Sequence, residues 1–418
     1  MGRVIFHVDV NSAFLSWEAT RRVANGEPDI RLVPSIIGGD PEKRTSIVTA
    51  KSIPAKKFGI VTGEPVSAAV RKCPGLVIAQ SDFALYSQCS KAFKSICREY
   101  TPVVEEFSID ECFLDMTSMK RLHPDPIKTA HELKDRIREE LGFTVNVGVA
   151  HNKLLAKMAS DFMKPDRVHT LFEEEIAEKM WPLPVGELFL CGRSSVEKLK
   201  KVHINTIGDL ASADAKAVQA LLGNKLGEQL WNFANGMDSS PVNDVPEAPK
   251  GYGNEITFDE NITTWEQGEN VLLHLADNVA ARVRRDDVKG FCVSVTIRGN
   301  DMKKHSHQHK LATATDNTTH VYEVAKKLYR ELWDGRTPLR LIGLSLSEMD
   351  REGQEQLSLF GETGRSAFGK QSAFAEDAPD SEKDRSADKA VDVLRERFGS
   401  DIIKRGGMIN SGITPRKK

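Results

Sequence analysis

A stretch rich in proline and serine, 239–250, separates two parts of the chain that differ in their sequence patterns. It contains Pro241, Pro246 and Pro249 beside the pair Ser239-Ser240, a composition typical of an exposed linker. The chain has 418 residues, and at about 100 to 200 residues per domain this length corresponds to about two to four domains. We therefore expect several domains, with one boundary at this linker.

The two parts have different orders of predicted elements. Up to about residue 168, strand-like apolar runs alternate with helical patterns, whereas 172–236 contains only short helical patterns. After the linker, 251–350 gives the order strand, helix, strand, strand, helix, strand, which is typical of a compact α+β module. The polar tail, 351–418, is predicted to be mostly disordered apart from a helix at Lys389 to Phe398. The fold class is therefore multidomain α+β.

Composition and charge exclude several other classes of protein. Apolar residues make up 40% and charged residues 28% of the chain, which is typical of a globular protein with a sizeable core. No run of about 18 apolar residues could span a bilayer and no signal peptide begins the chain, so we expect a cytoplasmic protein without a membrane span. The six cysteines include no Cys-x-x-Cys pair and are expected to be free thiols. The formal net charge is -2, so any nucleic-acid binding must come from local basic faces.

Three acidic residues stand at the ends of predicted strands. Asp9 follows the apolar run Val4 to Val8, and Asp110 and Glu111 lie between two apolar runs in a hairpin-like segment, 103–116. Carboxylates from separate strand ends can converge on hard cations, and two Mg²⁺ ions about 3.5 to 4 Å apart can activate a hydroxyl and stabilise a departing pyrophosphate. Taken alone, Asp110-Glu111 is equally consistent with a charged hairpin turn.

The residues around these carboxylates resemble a known family. The run 104–111 resembles the active-site signature of the Y-family DNA polymerases, whose core Ser-Ile-Asp-Glu is Ser108 to Glu111 here. The segment Val8 to Phe14 is similar to that family's N-terminal metal motif. Further matches follow in order at Gly38-Gly39-Asp40-Pro41, Ala55-Lys56-Lys57-Phe58-Gly59 and 152–161, closed by Lys164-Pro165. This ordered set, which covers about residues 1 to 350, is more specific than any single motif.

The resemblance implies a fold and an activity. The fold is a right-hand polymerase with a ferredoxin-like palm at 1–20 and 80–168, small fingers at 21–79, a helical helix-hairpin-helix thumb at 169–238 and an α+β little finger at 251–350. The activity is template-directed, error-prone translesion DNA synthesis, in which the 3'-hydroxyl of a primer attacks the α-phosphate of a deoxynucleotide. No proofreading is expected. The implied protein is a bacterial enzyme that acts as a monomer on primer-template DNA.

The resemblance also implies roles for individual residues. Asp9, Asp110 and Glu111 are the catalytic carboxylates and bind two Mg²⁺ ions, with the Val10 carbonyl as a further ligand. Lys56 and Lys164 face the triphosphate of the incoming deoxynucleoside triphosphate, and Phe14 is the steric gate that leaves no room for a 2'-hydroxyl. Outside the family context, each lysine would be read as a solvated side chain and Phe14 as a core residue at the start of a helix.

The fingers segment departs from the family pattern. Where the family often has an Asn-Tyr pair and an arginine that reach phosphates, this chain has Ser52-Ile53 and Lys56. Isoleucine cannot donate a hydrogen bond, and lysine offers a point charge rather than a planar fork. We therefore expect weaker nucleotide binding, with the catalytic carboxylates intact.

Two regions resemble DNA-holding modules. The segment 190–210 is similar to a helix-hairpin-helix, in which Gly192 and Arg193 would contact phosphates. Leu190 replaces the first hairpin glycine of the usual pattern. The alternative is a generic helical turn. In the predicted little finger, basic residues are expected to contact the DNA backbone, with a solvated face as the alternative. These residues are Arg298, Lys303 and Lys304.

A short apolar run in the tail resembles the peptide by which bacterial polymerases bind the sliding clamp. Gln356 would bond at the rim of the clamp pocket, and Leu357, Leu359 and Phe360 would contact the clamp with their apolar side chains. Such a segment binds by ordering on its partner.

Two other functions are open at this point. One is a palm-type nucleotide cyclase, suggested by Gly38-Gly39-Asp40, which leaves 169–350 without a role. The other is a DNA-binding protein without catalytic activity, suggested by Ile53 and by Leu190. The three intact carboxylates speak against it.

Overall fold

The computed structural model describes residues 2–350, 382–399 and 402–403. The chain divides into two compact units, of which the first ends at Pro246 and the second begins at Glu247. Within the described residues, no helix combines the length and the apolar character needed to cross a membrane. The peptide 356–360, predicted to bind the clamp, lies outside the described residues.

The first unit contains two sheets and the helices that cover them. Its strands are β1 (Ile5–Val10), β2 (Ser35–Ile37), β3 (Ala50–Lys51), β4 (Val77–Ala79), β5 (Val104–Glu106), β6 (Glu111–Asp115), β7 (Val145–Ala150) and β8 (Val168–Thr170). Its α-helices are α1 (Ala13–Ala24), α2 (Ile53–Lys56), α3 (Val66–Lys72), α4 (Phe83–Tyr100), α5 (Pro126–Leu141), α6 (Lys153–Asp161), α7 (Arg193–Lys201), α8 (Ile207–Ser212), α9 (Ala215–Leu222) and α10 (Asn224–Ala234). Short 3₁₀ or π turns occur at Ile30–Leu32, Thr117–Arg121, Glu173–Glu175, Ile176–Met180 and Val185–Glu187.

The larger sheet has the strand order β5-β6-β1-β7-β8. β1 lies at its centre, antiparallel to β6 and β7, and all six residues of β1 are buried. Phe6 and Val8 pack in the core beside Phe93 of α4. Ile5 packs in a second core with Leu155 of α6. β1 is therefore buried on both faces, although His7 and Asp9 stand among its apolar residues.

A glycine lets α6 approach this sheet closely. A Cβ atom on Gly148 of β7 would lie 1.9 Å from the carbonyl oxygen of Ala156 and 2.6 Å from the backbone nitrogen of Ser160. Any side chain here would push α6 away from the sheet. The helix begins after its N-cap Asn152, whose side chain accepts a hydrogen bond from Leu155 N at 2.8 Å. The close approach brings the polar residues of α6 over the ends of β1 and β6.

The rest of the first unit has cores of its own. The smaller sheet has the order β3-β2-β4, and its core includes Ile36 and Val66. In the described structure, 172–236 contains helices and no strand, as predicted. Leu199 and Leu230 are buried in the core of this helical region.

The second unit contains one antiparallel sheet of order β11-β10-β12-β9, with helices packed against it. Its elements are β9 (Gly251–Ile262), α11 (Trp265–Arg285), β10 (Lys289–Gly299), β11 (Lys304–Thr315), α12 (Thr318–Leu332), β12 (Leu339–Asp350) and α13 (Glu382–Phe398). Val271 of α11, Leu328 of α12 and Ile342 of β12 share a core. The predicted order strand, helix, strand, strand, helix, strand is confirmed for 251–350.

One strand is longer than its sequence pattern indicates. That pattern predicts a strand only near Lys310 to Ala314, whereas β11 begins at Lys304. The residues 304–308 are all exposed, so the apolar alternation that identifies a half-buried strand is absent there.

The tail helix α13 also begins earlier than its predicted start at Lys389. It contacts the rest of the second unit through charges, because Arg284 of α11 lies 3.0 Å from Asp388 Oδ2 and 2.7 Å from Asp392 Oδ2. The prediction relied on apolar periodicity, which does not identify a helix that docks through ion pairs. The structure thus differs from the predicted disorder over 382–388.

Candidate active site

Two of the three predicted carboxylates, Asp9 and Glu111, meet at the end of the central strands. Asp9 of β1 is directly opposite Glu111 of β6 in the antiparallel register. Asp110 precedes β6, and its carbonyl oxygen accepts a hydrogen bond from Val10 N at 3.0 Å. The Asp110 side chain accepts a hydrogen bond from Ser108 Oγ at 2.7 Å. Side chains of directly opposite residues point to the same face of a sheet, so Asp9 and Glu111 lie side by side.

The negative charges of these carboxylates are compensated by two lysines. Lys164 Nζ lies 2.5 Å from Asp9 Oδ2 and 2.8 Å from Asp161 Oδ1. Lys157 Nζ lies 2.9 Å from Glu111 Oε1 and 3.7 Å from Asp9 Oδ2. The structure therefore brings Lys164, one of the predicted nucleotide-binding residues, to the carboxylates.

Lys157 is a site residue that sequence reasoning did not single out. A lysine on a helix is normally solvated, but this one lies within the run 154–160, all of which is buried. A cation inside such an apolar run is the signal that could have identified it, because a buried charge requires a partner.

The environment sets the protonation of both acids. Burial raises the pKa of Asp9, although Lys164 and Lys157 act in the opposite direction. Burial also opposes ionisation of Glu111, but the neighbouring His7 ring and the Lys157 charge outweigh it and lower the pKa of Glu111 to about 2. His7 Nε2 lies 3.6 Å from Glu111 Oε2. Glu111 is therefore an anion at neutral pH.

The donor chemistry fits a hard divalent cation. Among the residues that the structure describes, no three His, Cys, Asp or Glu side chains are arranged ready to enclose a metal ion. Carboxylate and carbonyl oxygens are nevertheless the ligands that Mg²⁺ prefers, and Asp9, Glu111 and Asp110 supply them at one end of the sheet. Lys157 and Lys164 already place positive charge beside Glu111 and Asp9, as is expected where carboxylates are adjacent.

Phe14 is the second residue of α1, which begins shortly after β1 ends at Val10. One face of its ring is stacked on Tyr86, with centroids 4.5 Å apart and planes 10° apart. The side chain is only half-buried. Phe14 is thus partly a core residue and partly open to a ligand, so the two interpretations of this residue are compatible.

Two residues of the predicted fingers form no hydrogen bond or ion pair with the three carboxylates in the described structure. Ile53 and Lys56 lie on α2, whose N-cap is Ser52, and both are exposed. Lys56 forms no ion pair with the three described carboxylates, in contrast to Lys164. Burial and the charge of Lys56 lower the pKa of the neighbouring Lys51, which places a second cation near Lys56.

The hairpin before α7 keeps its expected backbone shape despite its missing glycine. Leu190 has a φ of 65°, the left-handed conformation that glycine favours. Gly192 is the N-cap of α7, and a Cβ there would meet no atom within 4 Å. Arg193 is 93% exposed and pairs with Glu197 at 3.1 Å. The hairpin backbone is therefore accessible to a ligand.

The basic residues of the second unit lie on neighbouring strands. Arg298 of β10 is directly opposite Lys304 of β11. Lys304 Nζ lies 3.0 Å from Glu255 Oε1, and the exposed Lys303 lies 3.6 Å from Asp301. Both lysines therefore have acidic neighbours that a phosphate would have to displace.

Comparisons with known proteins agree with this architecture. The impB/mucB/samB family matches residues 8–161, and the C-terminal domain of that family matches residues 249–359. The thumb domain described for DNA polymerase-iota matches residues 191–238. A solved Y-family DNA polymerase chimera, 24% identical, has a similar fold with a TM-score of 0.71, over 83% of this chain and 99% of that chain.

Curated relatives match over nearly the whole length. DNA polymerase IV of Clostridium acetobutylicum is 41% identical over 98% of this chain and 99% of its own. DNA polymerase IV of Acetivibrio thermocellus is 36% identical over 97% of both chains. DNA polymerase IV 1 of Bacillus subtilis is 33% identical over 97% of this chain and 93% of its own.

The similar fold and these matches define a DNA-directed DNA polymerase. The chain belongs to the Y-family of DNA polymerases. Members of this family carry out error-prone translesion synthesis with divalent metal ions and without proofreading. The nucleotide cyclase and the DNA-binding protein without activity are therefore wrong as alternatives.

Proposed function

We propose that Asp9, Asp110 and Glu111, with the Val10 carbonyl, hold two Mg²⁺ ions for nucleotidyl transfer to a primer. The observation that carries this proposal is the register of β1 and β6, which sets Asp9 directly opposite Glu111. When bound, the ions supply Lewis-acid activation of the primer 3'-hydroxyl and positive charge for the departing pyrophosphate. The role of the chain is to fix the oxygen ligands on rigid strands.

Lys164 is proposed to bind the triphosphate of the incoming nucleotide. Its ammonium group already lies among the carboxylates, 2.5 Å from Asp9, and its side chain is partly exposed. A cation at this position stabilises negative charge that shifts from the α-phosphate towards the pyrophosphate. Lys56 is proposed as a second phosphate ligand, which approaches from α2 as a point charge.

Phe14 is proposed to select deoxynucleotides. Its ring is held by stacking on Tyr86, so it cannot easily turn aside for a 2'-hydroxyl. Discrimination by a rigid apolar ring acts through steric exclusion.

The proposed DNA contacts are sequence-independent. We propose that the accessible backbone at Gly192, with Arg193 beside it, contacts phosphates. The same role is proposed for Arg298, Lys303 and Lys304, of which Arg298 is directly opposite Lys304. Such contacts hold a primer-template without reading its bases, which suits an enzyme that copies any template. We propose the same division into a palm at 1–20 and 80–168, fingers at 21–79, a thumb at 169–238 and a little finger at 251–350.

We also propose that Gln356, Leu357, Leu359 and Phe360 bind a sliding clamp and that the enzyme acts as a monomer in a bacterial cytoplasm. The support for clamp binding is the Gln-Leu-Ser-Leu-Phe sequence and its place after β12.

Primer extension tests the catalytic assignment. We expect the purified protein to extend a labelled primer-template with Mg²⁺, and Asp110→Ala to reduce the rate at least about a thousandfold. Asp115→Asn, on the same strand β6 but away from the site, is the matched control and should retain activity. Loss of activity in Asp115→Asn with retention in Asp110→Ala would overturn the assignment.

A further inference from the structure

A buried asparagine completes the row of polar residues across the sheet. Asn146 of β7 is directly opposite Asp9, on the side away from Glu111. Its side chain is fully buried and faces α6. The other residues of the strand are apolar. Burial of the polar amide costs free energy, which its hydrogen bonds must offset.

All hydrogen-bonding groups of this amide are used. Asn146 Nδ2 donates to Ser160 O at 2.9 Å and to Met163 O at 2.7 Å. Asn146 Oδ1 accepts from Arg167 N at 3.2 Å. The bonded backbone groups of Met163 and Arg167 lie on either side of Lys164. The amide therefore fixes the turn that carries Lys164 to the same sheet that carries Asp9.

The same turn is held on its other side by charges. Asp166 bonds to Lys134 at 2.9 Å and to Arg138 at 2.8 Å, both on α5. These bonds hold the outer part of the turn, and the Asn146 amide holds its inner part next to Asp9. A long lysine side chain loses much conformational entropy when it binds a ligand, and a fixed backbone on both sides of Lys164 reduces that loss.

We propose that Asn146 is a positioning residue for nucleotide binding, which sets Lys164 against the triphosphate. This inference rests on the proposed role of Lys164. The geometry requires an amide, because only Asn or Gln offers two N–H donors and one acceptor from one side chain, and the confined space between β7 and α6 fits the shorter one. Serine would supply a single donor, and alanine none.

Single-nucleotide insertion kinetics test this inference. We expect Asn146→Ala to raise KM for the deoxynucleotide about tenfold with a smaller change in kcat. In a Lys164→Ala background, the same change should leave KM unaltered, because the group that Asn146 positions is already absent. Asn146→Ser should fall between wild type and Asn146→Ala, and carries the test if Asn146→Ala does not fold.

A matched control separates positioning from general destabilisation. Asn152→Ala removes the cap of the same helix α6 and the bond from Asn152 to Gly236 O, so it should lower the melting temperature without raising KM. If Lys164→Ala raises KM and Asn146→Ala does not, the inference on Asn146 is overturned and the proposed function stands. If Lys164→Ala leaves KM unchanged, the proposed role of Lys164 fails first. An equal rise in KM from Asn146→Ala with and without Lys164 would also overturn the inference.

Discussion

Asp9 and Glu111 are directly opposite each other on β1 and β6. The negative charge of each is compensated by a different lysine. Lys164 contacts Asp9 at 2.5 Å and Lys157 contacts Glu111 at 2.9 Å. Adjacent carboxylates repel each other unless cations lie between or beside them. The arrangement is therefore one that attracts positive charge, which is the property that a two-metal polymerase site needs.

The close packing of α6 predicts a strong effect of one added methyl group. Gly148→Ala would place a Cβ 1.9 Å from Ala156 O, so α6 must move and carry Lys157 with it. We expect a loss of about 3 kcal/mol in the free energy of unfolding and a large loss of polymerase activity. Denaturant unfolding measures the first. Gly192→Ala, where a Cβ meets nothing within 4 Å, is the stability control, and equal stability of both variants would contradict the packing argument.

The docking of α13 predicts a large contribution to stability from its ion pairs with the buried Arg284. Arg284 is 5% exposed and contacts Asp388 and Asp392, so Arg284→Met removes a buried cation from beside the buried Asp388 carboxylate. We expect a destabilisation of about 3 to 5 kcal/mol and rapid proteolysis within 382–399. The adjacent Arg285, which is exposed, is the control: Arg285→Met should change stability by less than about 0.5 kcal/mol. Protection of α13 in Arg284→Met would show that its ion pairs Arg385–Asp316 and Arg395–Asp277 hold it without Arg284.

The stacking of Phe14 on Tyr86 predicts selection against ribonucleotides. Phe14→Ala removes the ring beside the proposed sugar position, so insertion of ribonucleotides should rise by about two orders of magnitude relative to deoxynucleotides. Phe83 belongs to the same aromatic cluster and is exposed, so Phe83→Ala should leave the ratio unchanged. Competition between ribo- and deoxynucleotides in primer extension measures it, and a similar shift in both variants would contradict a specific gate.

Ile53 and Lys56 depart from the family pattern in the predicted fingers, and this predicts that nucleotide binding can be improved by restoring the pattern. Ile53→Tyr together with Lys56→Arg adds a hydroxyl donor and a planar fork at two exposed positions. One gained hydrogen bond contributes about 1 kcal/mol, so KM for the deoxynucleotide should fall about fivefold. Lys57→Arg, on a neighbouring exposed residue, is the control and should not change KM. An unchanged KM in the double variant would mean that α2 does not reach the phosphates.

The carboxylates could be predicted from the sequence because they stand at the ends of strongly apolar strands. Asp9, Asp110 and Glu111 carry signals of both pattern and resemblance. Lys157 lies within the matched run 152–161 and Asn146 lies in an apolar strand, but neither signal assigns a role, because the roles depend on which strands become neighbours and on how closely α6 approaches them. Pairing of that kind joins residues far apart in the chain, and a local pattern does not contain it.

Backbone conformation and charge pairing account for the other differences. Leu190 suggests a weakened hairpin by its residue type, yet its φ of 65° shows that the chain adopts the required turn without glycine. The sequence pattern does not indicate the start of α13, because two of its docked side chains are aspartates that pair with Arg284. Residue type alone predicts neither a tolerated left-handed leucine nor a buried ion pair.

The most direct measurement of the central claim is the rate of single-nucleotide insertion as a function of Mg²⁺ concentration, for the wild type, Asp9→Asn and Asp115→Asn. We expect a saturable Mg²⁺ dependence in the wild type and in Asp115→Asn. Asp9→Asn, which removes one negative ligand at nearly constant shape, should insert at least about a thousandfold more slowly while it still binds primer-template DNA. Insertion by Asp9→Asn at the wild-type rate, or by the wild type without any divalent ion, would contradict the assignment of this site.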